Sequence, residues 1–427
     1  MKFVLPFTGS RGDIQPGLAL GIELAERGHE VVFGAPPNLM AFASAVTGGR
    51  VTIVAFGPDT KALLESELVR TRIKSRNPRV RFAALAELAN FGWDRMVAEL
   101  TEMSTDADAI VTGTLGQEMA FNMAEAQGIP FLALHYCPLR RNGSMSVSPN
   151  HRLPALVNRT TWSLLETVRW RSMRLRENAQ RTSLGLPGAT HPLPKRIEQY
   201  GGIEIQAYDG NLFPGLRAEW GTARPFVGFL ELPPVHPPLG ADLGAGSPLR
   251  EWIDSGDAPL YFGFGSMPVR DPEALIESIT EACAATGHRA LVSSGWSAIP
   301  ERLNAGSRVA IVGPVDHGSV FPLCRAVIHH GGAGTTAAGI RAGRPTMVCW
   351  FSADQPFWGT AVTRVGAGLS TQFARLDGPT LTEALGTLLS DETSYRAQQL
   401  AATTTHPHDA VRAAADLAER AVTRTVS

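Results

Sequence analysis

Short apolar runs, β-branched or aromatic, alternate with helical patterns along most of this chain, and that rhythm restricts its fold more than any other feature. "KFVLPFT", then "GLALGIELAERG", then "HEVVFGAP" is the signature of a βαβ unit. In the intervening helix Leu18, Ile22 and Ala25 share one face, and Gly28 stops it by taking the left-handed cap conformation without steric cost. "VTIVAFG", "DAIVTG" and "PFLALHYC" add strands without polar alternation, as expected of a parallel sheet covered on both faces. The rhythm restarts with "PLYFGFGS", "RALVSSG", "RVAIVG", "AVIHHGG" and "PTMVCW". Between the two series, "ELPPVHPPLGADLGAGSP" concentrates proline and glycine, which forbid helix and remove donors. A chain of 427 residues exceeds one typical core. The expected organisation is an α/β domain over 1–230, a linker at 231–248, a second α/β domain over 249–400 and a terminal segment at 401–427. In that last segment Val411, Ala414, Leu417 and Ala421 recur at the spacing of an amphipathic helix.

A formal net charge of −1 with 19% charged residues argues against general nucleic-acid binding and against disorder. Partners must be sought in local sites. Cys137, Cys283, Cys324 and Cys349 fit no metal spacing and sit among apolar neighbours, as buried thiols of a reducing compartment do. The opening apolar run is shorter than a signal-peptide core, and nowhere do about 18 apolar residues follow one another. A cytoplasmic location is the expectation. The rhythm lapses from Gly57 to Asp106 and from Leu139 to Tyr200, which read as insertions. The second is rich in arginine, with ten between Leu139 and Tyr200, and Trp162 and Trp170 are interleaved among them; such a face suits transient contact with a membrane surface or an anionic partner, or is simply solvated.

The stretch "IHHGGAGTTAAG" at 328–339 bears the most chemistry. A strand ends in His329 and His330, and the glycines lead into a helix expected to begin near Thr335. Helix N-termini carry unpaired N–H groups and partial positive charge, and glycine lets a phosphate approach them closely. The lysine of a P-loop is absent and the spacing is not that of a dinucleotide fingerprint. The same spacing also suits a tight turn through Gly331, Gly332 and Gly334 capped by Thr335. Adjacent histidines on an extended backbone point to opposite faces, so the pair is ill placed to chelate one metal, and one ring should face the pocket.

Several motifs together carry a resemblance. "GSRGDIQP", "FGFGSMPV", "VGPVDH", "HHGGAGTTAAGIRAGRPTMV" and "ADQPFWG" resemble the two-domain glycosyltransferases that include sterol glucosyltransferases and the bacterial enzymes that glycosylate antibiotics and lipids. The likeness spans nearly the whole chain and is strongest from Pro259 to Gly368. It implies the GT-B architecture: two Rossmann-like, doubly wound domains facing across a cleft, the C-terminal one holding a nucleotide sugar and the N-terminal one the acceptor. It further implies that His330 contacts the donor diphosphate and that Gly332, Gly334 and Thr335 complete the cradle. By the same likeness Ser266 touches a donor phosphate, Val315 meets the base through its main chain, and Asp354 and Gln355 bind sugar hydroxyls. Ser10, Arg11, Gly12 and Trp296 are further candidates for donor or loop contacts.

Attack by an acceptor hydroxyl on an anomeric carbon calls for a base opposite the departing diphosphate. Asp13 lies at the C-terminal edge of the first strand, where open α/β sheets gather ligands. Its other reading is a cap on a helix beginning near Pro16; the resemblance favours the base, since sterol and antibiotic enzymes carry aspartate here. Aspartate is a weak base and helps only late, once bonding has acidified the hydroxyl. The leaving group needs no acid and no metal in this scheme, because the glycine cradle, His330 and Thr335 stabilise its charge. Displacement would invert the anomeric centre. The donor expected is UDP-glucose, with dTDP-deoxysugars as the alternative, and no bound cofactor. The acceptor expected is a sterol, polyketide or lipid hydroxyl, with Phe91, Trp93, Met96, Met145, Trp162 and Trp170 either lining its cleft or forming core. A nucleotide-sugar epimerase and a non-catalytic nucleotide-sugar binding protein are the rival readings, and no obligate protein partner is evident.

Overall fold

The computed structural model describes the chain apart from residues 74, 76, 148–152, 234–241, 245, 266, 268, 270, 296–299, 305 and 427. Most of the expected linker at 231–248 therefore lies outside the described residues. Two compact units are present: Met1–Gly210 with Pro214–Pro233 and Thr405–Ser427, and Asn211–Phe213 with Pro234–Thr404.

The first unit is built on β1 (Lys2–Pro6), β2 (Glu30–Ala35), β3 (Thr52–Ala55), β4 (Ala109–Thr112), β5 (Phe131–His135) and β6 (Ile203–Gln206). They form one parallel sheet in the order β3-β2-β1-β4-β5-β6. The strand order reverses between β1 and β4, the position at which open α/β sheets gather ligands at their C-terminal strand ends. Strand β6, "IEIQ", was not anticipated. It places polar Glu204 and Gln206 in a buried edge strand, and Glu204 is tolerated because Arg140 and Arg224 both bond its carboxylate.

The insertions fold as helices, the longest being Ala155–Ser183. It anchors through buried Trp162 and Met173, and Arg169 and Arg181 pair with Glu118 and Glu125. Trp93, Met96, Met145 and Trp162 are buried, and the Trp162 indole donates to the Met145 carbonyl at 2.8 Å, so these four side chains belong to the core. Phe91 is exposed and Trp170 half-buried. The last helix, Pro407–Val426, belongs to the first unit, burying Ala410, Ala414, Ala418 and Val422 at helical spacing. There Arg27 reaches Asp416 at 2.7 Å and Glu419 at 2.8 Å.

The second unit repeats the architecture with β7 (Leu260–Gly263), β8 (Ala290–Ser293), β9 (Val309–Val312), β10 (Ala326–His329), β11 (Thr346–Trp350) and β12 (Gly368–Gln372). Its sheet is also parallel, in the order β12-β11-β10-β7-β8-β9, which puts the reversal between β7 and β10. Apolar clusters cover both faces, one around Ile279, Ile328 and Leu385, the other around Trp252, Val327 and Phe321. All four cysteines are free and buried, and burial raises the thiols of Cys283, Cys324 and Cys349 to about 11, about 12 and about 12, leaving them un-ionised packing groups. Among the described residues no helix is long and apolar enough to cross a membrane.

Candidate active site

In the first unit β1 feeds a short loop and then the helix Arg11–Glu26. The helix begins at Arg11, and Pro16 sits inside it. Ser10 is the N-cap and Asp13 is the third helical residue, so Asp13 reaches back as the acidic half of a capping box. Its Oδ2 accepts from the Ser10 N–H at 2.5 Å and the Ser10 hydroxyl at 2.7 Å. Its Oδ1 accepts from the Tyr136 hydroxyl at 2.5 Å. Tyr136 follows β5 and is buried, and its hydroxyl also bonds Thr114, which follows β4. Because the tyrosine proton is given to Asp13, Thr114 donates in that second bond. Burial, with the adjacent Asp13 charge, pushes the Tyr136 phenol well above its ordinary value, so it stays a donor. The loop itself is braced by Thr60, whose hydroxyl donates to the Gly9 carbonyl at 2.6 Å. Three strand ends thus converge on one half-buried carboxylate at the reversal point of the sheet. Of the neighbouring candidates, Ser10 is spent on Asp13, Arg11 lies over the Phe42 ring at 4.3 Å, and Gly12 is exposed in the first turn.

The second unit uses its reversal point differently. His329 ends β10, is fully buried, and accepts the Gly331 N–H on Nδ1 at 2.9 Å. Desolvation, then the neighbouring His330, holds it well below the ordinary imidazole range, so it is neutral. The His330 ring lies 6.1 Å from it and nearly perpendicular, at 88°. Burial lowers the His330 pKa too, against the Gly263 carbonyl, which raises it. Two glycines make room for that ring: a Cβ on Gly265 would fall 2.9 Å from Cε1, and one on Gly332 would fall 2.8 Å from Nε2.

Gly332 is also the N-cap of the helix Ala333–Arg341, which starts two residues before Thr335 and has no side-chain cap. Its first intrahelical bond runs from the Thr336 N–H to the Gly332 carbonyl at 2.9 Å. The N–H groups of the first turn therefore point outward unpaired by the helix, with Gly334 exposed and Thr335 half-exposed among them. The next βα turn abuts this one, since a Cβ on Gly331 would fall 3.0 Å from the Gln355 Cβ. Asp354 is the N-cap of the helix Gln355–Arg364 and accepts the Trp358 indole N–H at 2.9 Å. Gln355 is buried, and its Oε1 accepts the N–H groups of Phe351 and Ser352 at 2.8 and 3.1 Å, so here it braces the turn.

His330, Gly332, Gly334, Thr335, Asp354 and Gln355 thus share the C-terminal ends of β10 and β11. Val315 sits half-buried after β9, at the far end of the same edge. Three strand spacings separate β9 from β10, roughly 14 Å. Ser266 and Trp296 lie outside the described residues. Among the described residues no group of three or more His, Cys, Asp or Glu side chains could hold a metal ion. Sequence reasoning missed Tyr136 and Thr114, because nothing local marks either as a partner of Asp13.

Residues 3–143 match the family model described as "Glycosyltransferase family 28 N-terminal domain", and residues 289–416 match "Erythromycin biosynthesis protein CIII-like, C-terminal domain". An uncharacterized glycosyltransferase of Mycobacterium tuberculosis (strain ATCC 25618 / H37Rv) is 41% identical over 429 residues, covering 99% of this chain and 100% of the relative. The chain is a GT-B glycosyltransferase. Another member, a sterol 3-beta-glucosyltransferase of Arabidopsis thaliana, is 28% identical over 411 residues, spanning 94% of this glycosyltransferase and 62% of the plant protein. The fold of the glycosyltransferase is shared with the crystal structure of the glycotransferase of kitacinnamycin (TM-score 0.71, 19% identity, 99% of each chain). It is shared as well with the glycosyltransferase VinC in complex with dTDP (TM-score 0.66, 16% identity, 99% and 100% of the two chains).

Proposed function

We propose that this glycosyltransferase moves a hexose, glucose in our reading, from a UDP- or dTDP-sugar to a hydroxyl of a hydrophobic acceptor, with inversion and without a metal. One observation carries the donor assignment: the uncapped first turn at Gly332, flanked by a neutral histidine and adjoined by Asp354 and Gln355. An anion seated there receives backbone N–H bonds and the helix dipole, and His330 adds a hydrogen bond. Val315, farther along the edge, meets the base. Asp354 and Gln355 take the sugar hydroxyls, and Gln355 must share or exchange its present bonds to Phe351 and Ser352 to do so.

Asp13 serves as the base. Its Oδ2 is filled by Ser10, whereas Oδ1 keeps a lone pair beside the Tyr136 bond. As the acceptor oxygen bonds to the anomeric carbon, the bond to the diphosphate oxygen breaks and the hydroxyl proton passes to Oδ1. The charge released onto the diphosphate is held by the first-turn N–H groups, His330 and Thr335. An α-linked donor yields a β-glycoside and a nucleoside diphosphate.

The test is incubation with UDP-glucose or dTDP-glucose and a panel of sterols, macrolides and lipid alcohols, with the anomeric configuration read by proton NMR. A β-glycoside is expected, and Asp13→Ala should lose about 10²–10⁴-fold in turnover while nucleotide affinity holds. Conversion of the donor with no acceptor present would instead mark an epimerase, and an α-glycoside would remove the direct displacement.

A further inference from the structure

We propose that Trp358 is a positioning residue of the donor site, its buried indole N–H aiming the Asp354 carboxylate at the sugar. An aspartate at a helix N-cap ordinarily lies in extended backbone and turns an oxygen onto an N–H of the first helical turn. Asp59, Asp271, Asp316 and Asp377 all do so, with ψ of 111°, 89°, 114° and 175° and a side-chain bond to the N–H three residues on. Asp354 holds the same place before the helix Gln355–Arg364 and does not. Its backbone is already helical, at φ −81° and ψ −13°, and its side chain makes no cap bond. Two neighbours turn it away. Ala353 has a φ of 59°, a left-handed conformation that an L-residue adopts only at a cost. Pro356, the second helical residue, removes one of the N–H groups that a cap could bond. The Phe357 N–H goes to the Asp354 carbonyl at 2.9 Å and the Gln355 N–H to the Ser352 carbonyl at 3.4 Å, so backbone alone serves the first-turn donors.

Released from capping, the carboxylate lies along the side of the helix, where the Trp358 indole donates to Asp354 Oδ2 at 2.9 Å. An indole has one N–H and accepts nothing, so this bond decides which oxygen faces the helix. Trp358 has no room to swing. It is fully buried, and the Phe213 ring lies 5.6 Å from its own at 67°. At the next residue, Gly359, the helix presses so closely on β12 that a Cβ would collide with the Ser370 side chain. A donor locked by packing fixes the orientation of the group it bonds, and bonds to a charged oxygen are the stronger kind. Asp354 itself stays half-buried, next to the Gln355 that abuts the Gly331 turn. A carboxylate held in one orientation reads the positions of hydroxyls, so Trp358 bears on the sugar and not on the nucleotide. The role presupposes that Asp354 takes sugar hydroxyls, the reading proposed for the donor site.

Titration calorimetry with UDP and UDP-glucose, or with dTDP and dTDP-glucose, whichever pair the wild type binds, tests it in the wild type, Trp358→Phe, Asp354→Ala and the double variant. Trp358→Phe keeps an aromatic ring in the core and removes the N–H. It is expected to weaken binding of the sugar nucleotide about tenfold and to leave the bare nucleotide within about twofold. Once Asp354 is alanine, the same replacement should add less than about twofold, because the two residues act as one unit. Equal weakening of nucleotide and sugar nucleotide, or an undiminished effect in the Asp354→Ala background, overturns the role, since Trp358 would then act on the fold. Full sugar-nucleotide affinity in Trp358→Phe, with a loss in Asp354→Ala, overturns this role alone. No loss in Asp354→Ala, or no binding of either pair, overturns it together with the sugar-binding reading of Asp354. Should Trp358→Phe fail to fold, the Trp358 indole resonance, identified as the one displaced in Asp354→Asn, is followed by nitrogen–proton correlation NMR. It should move with the sugar nucleotide and hold still with the bare nucleotide; an indole resonance indifferent to the sugar overturns the role.

Discussion

The two units share a strand order and a reversal point, yet they finish their first functional helix in opposite ways. In the first, the Arg11–Glu26 helix begins with Ser10 and Asp13, where the Ser10 N–H and hydroxyl both donate to Asp13 Oδ2, and the carboxylate places negative charge in the first turn. In the second, the Ala333–Arg341 helix begins with Gly332 and no cap, and its positive end stays open. A capped, acidic terminus repels an anion and offers a carboxylate; a bare one attracts an anion and offers nothing else. One topology thereby offers a carboxylate in one unit and an open, positive helix end in the other. The fold fixes where chemistry happens, and three or four residues after a strand decide which chemistry.

Making the second terminus resemble the first should have the largest effect. Gly334 is the second residue of its helix, and a Cβ there meets nothing within 4 Å, so Gly334→Asp is sterically tolerated. An aspartate in the first turn favours the helix by about 0.3–1 kcal/mol, so the melting temperature should hold or rise. A diphosphate would meet a like charge in the seat itself. Calorimetric titration with UDP and dTDP is expected to show affinity reduced at least about tenfold, from that repulsion together with loss of the open dipole. Unchanged affinity in a folded variant would place the diphosphate elsewhere.

Loosening the first terminus should have a smaller effect. Tyr136→Phe removes the donor to Asp13 Oδ1 and leaves the Thr114 hydroxyl to find another partner. A hydrogen bond to a charged group contributes about 1.5–3 kcal/mol, so loss of Asp13 alignment should cost turnover about tenfold. Nucleotide affinity, which the proposed function assigns to the other unit, should not move. A fall in donor affinity equal to the fall in turnover would mean that Tyr136 acts on the fold rather than on the base.

The strands in both sheets that were legible in the sequence are those with uninterrupted apolar runs, such as "AIV" in β4 and "MVC" in β11. Strands β6, "IEIQ", and β12, "GLSTQ", escaped because each is an edge strand with polar residues, and the ion pairs that make Glu204 acceptable lie 64 and 20 positions away. Asp13 was legible because its position follows from the end of β1, whereas Tyr136 was not, since its partner is 123 positions distant. Proline and glycine also misplaced helix starts: Pro16 lies inside its helix and Gly334 inside another, although each reads locally as a boundary. Aromatic residues in the insertions gave no guide to the acceptor, because Trp93 and Trp162 are buried for the same apolar character that would have suited a ligand.

The smallest expected effect tests what the units have in common. Each ends a central strand in a buried neutral histidine: His135 on β5, lowered to about 3 by burial and then by the Arg140 charge, and His329 on β10, lowered well below the ordinary range. An unfolded histidine takes up a proton near pH 6.5, whereas these take one up only at much lower pH. The unfolded state therefore binds more protons below that value, and stability rises with pH. The contribution is fully present above about pH 6.5 and is lost as pH falls towards the folded values, by about 1 kcal/mol for each histidine at pH 5.5. Scanning calorimetry from pH 7.5 to 5.5 should show the melting temperature falling, and His135→Gln or His329→Gln should each flatten that fall while lowering the value at pH 7.5. A melting temperature that stays level over this range would mean that the two histidines exchange protons freely in the folded protein, and that the strand ends are less well sealed than their burial indicates.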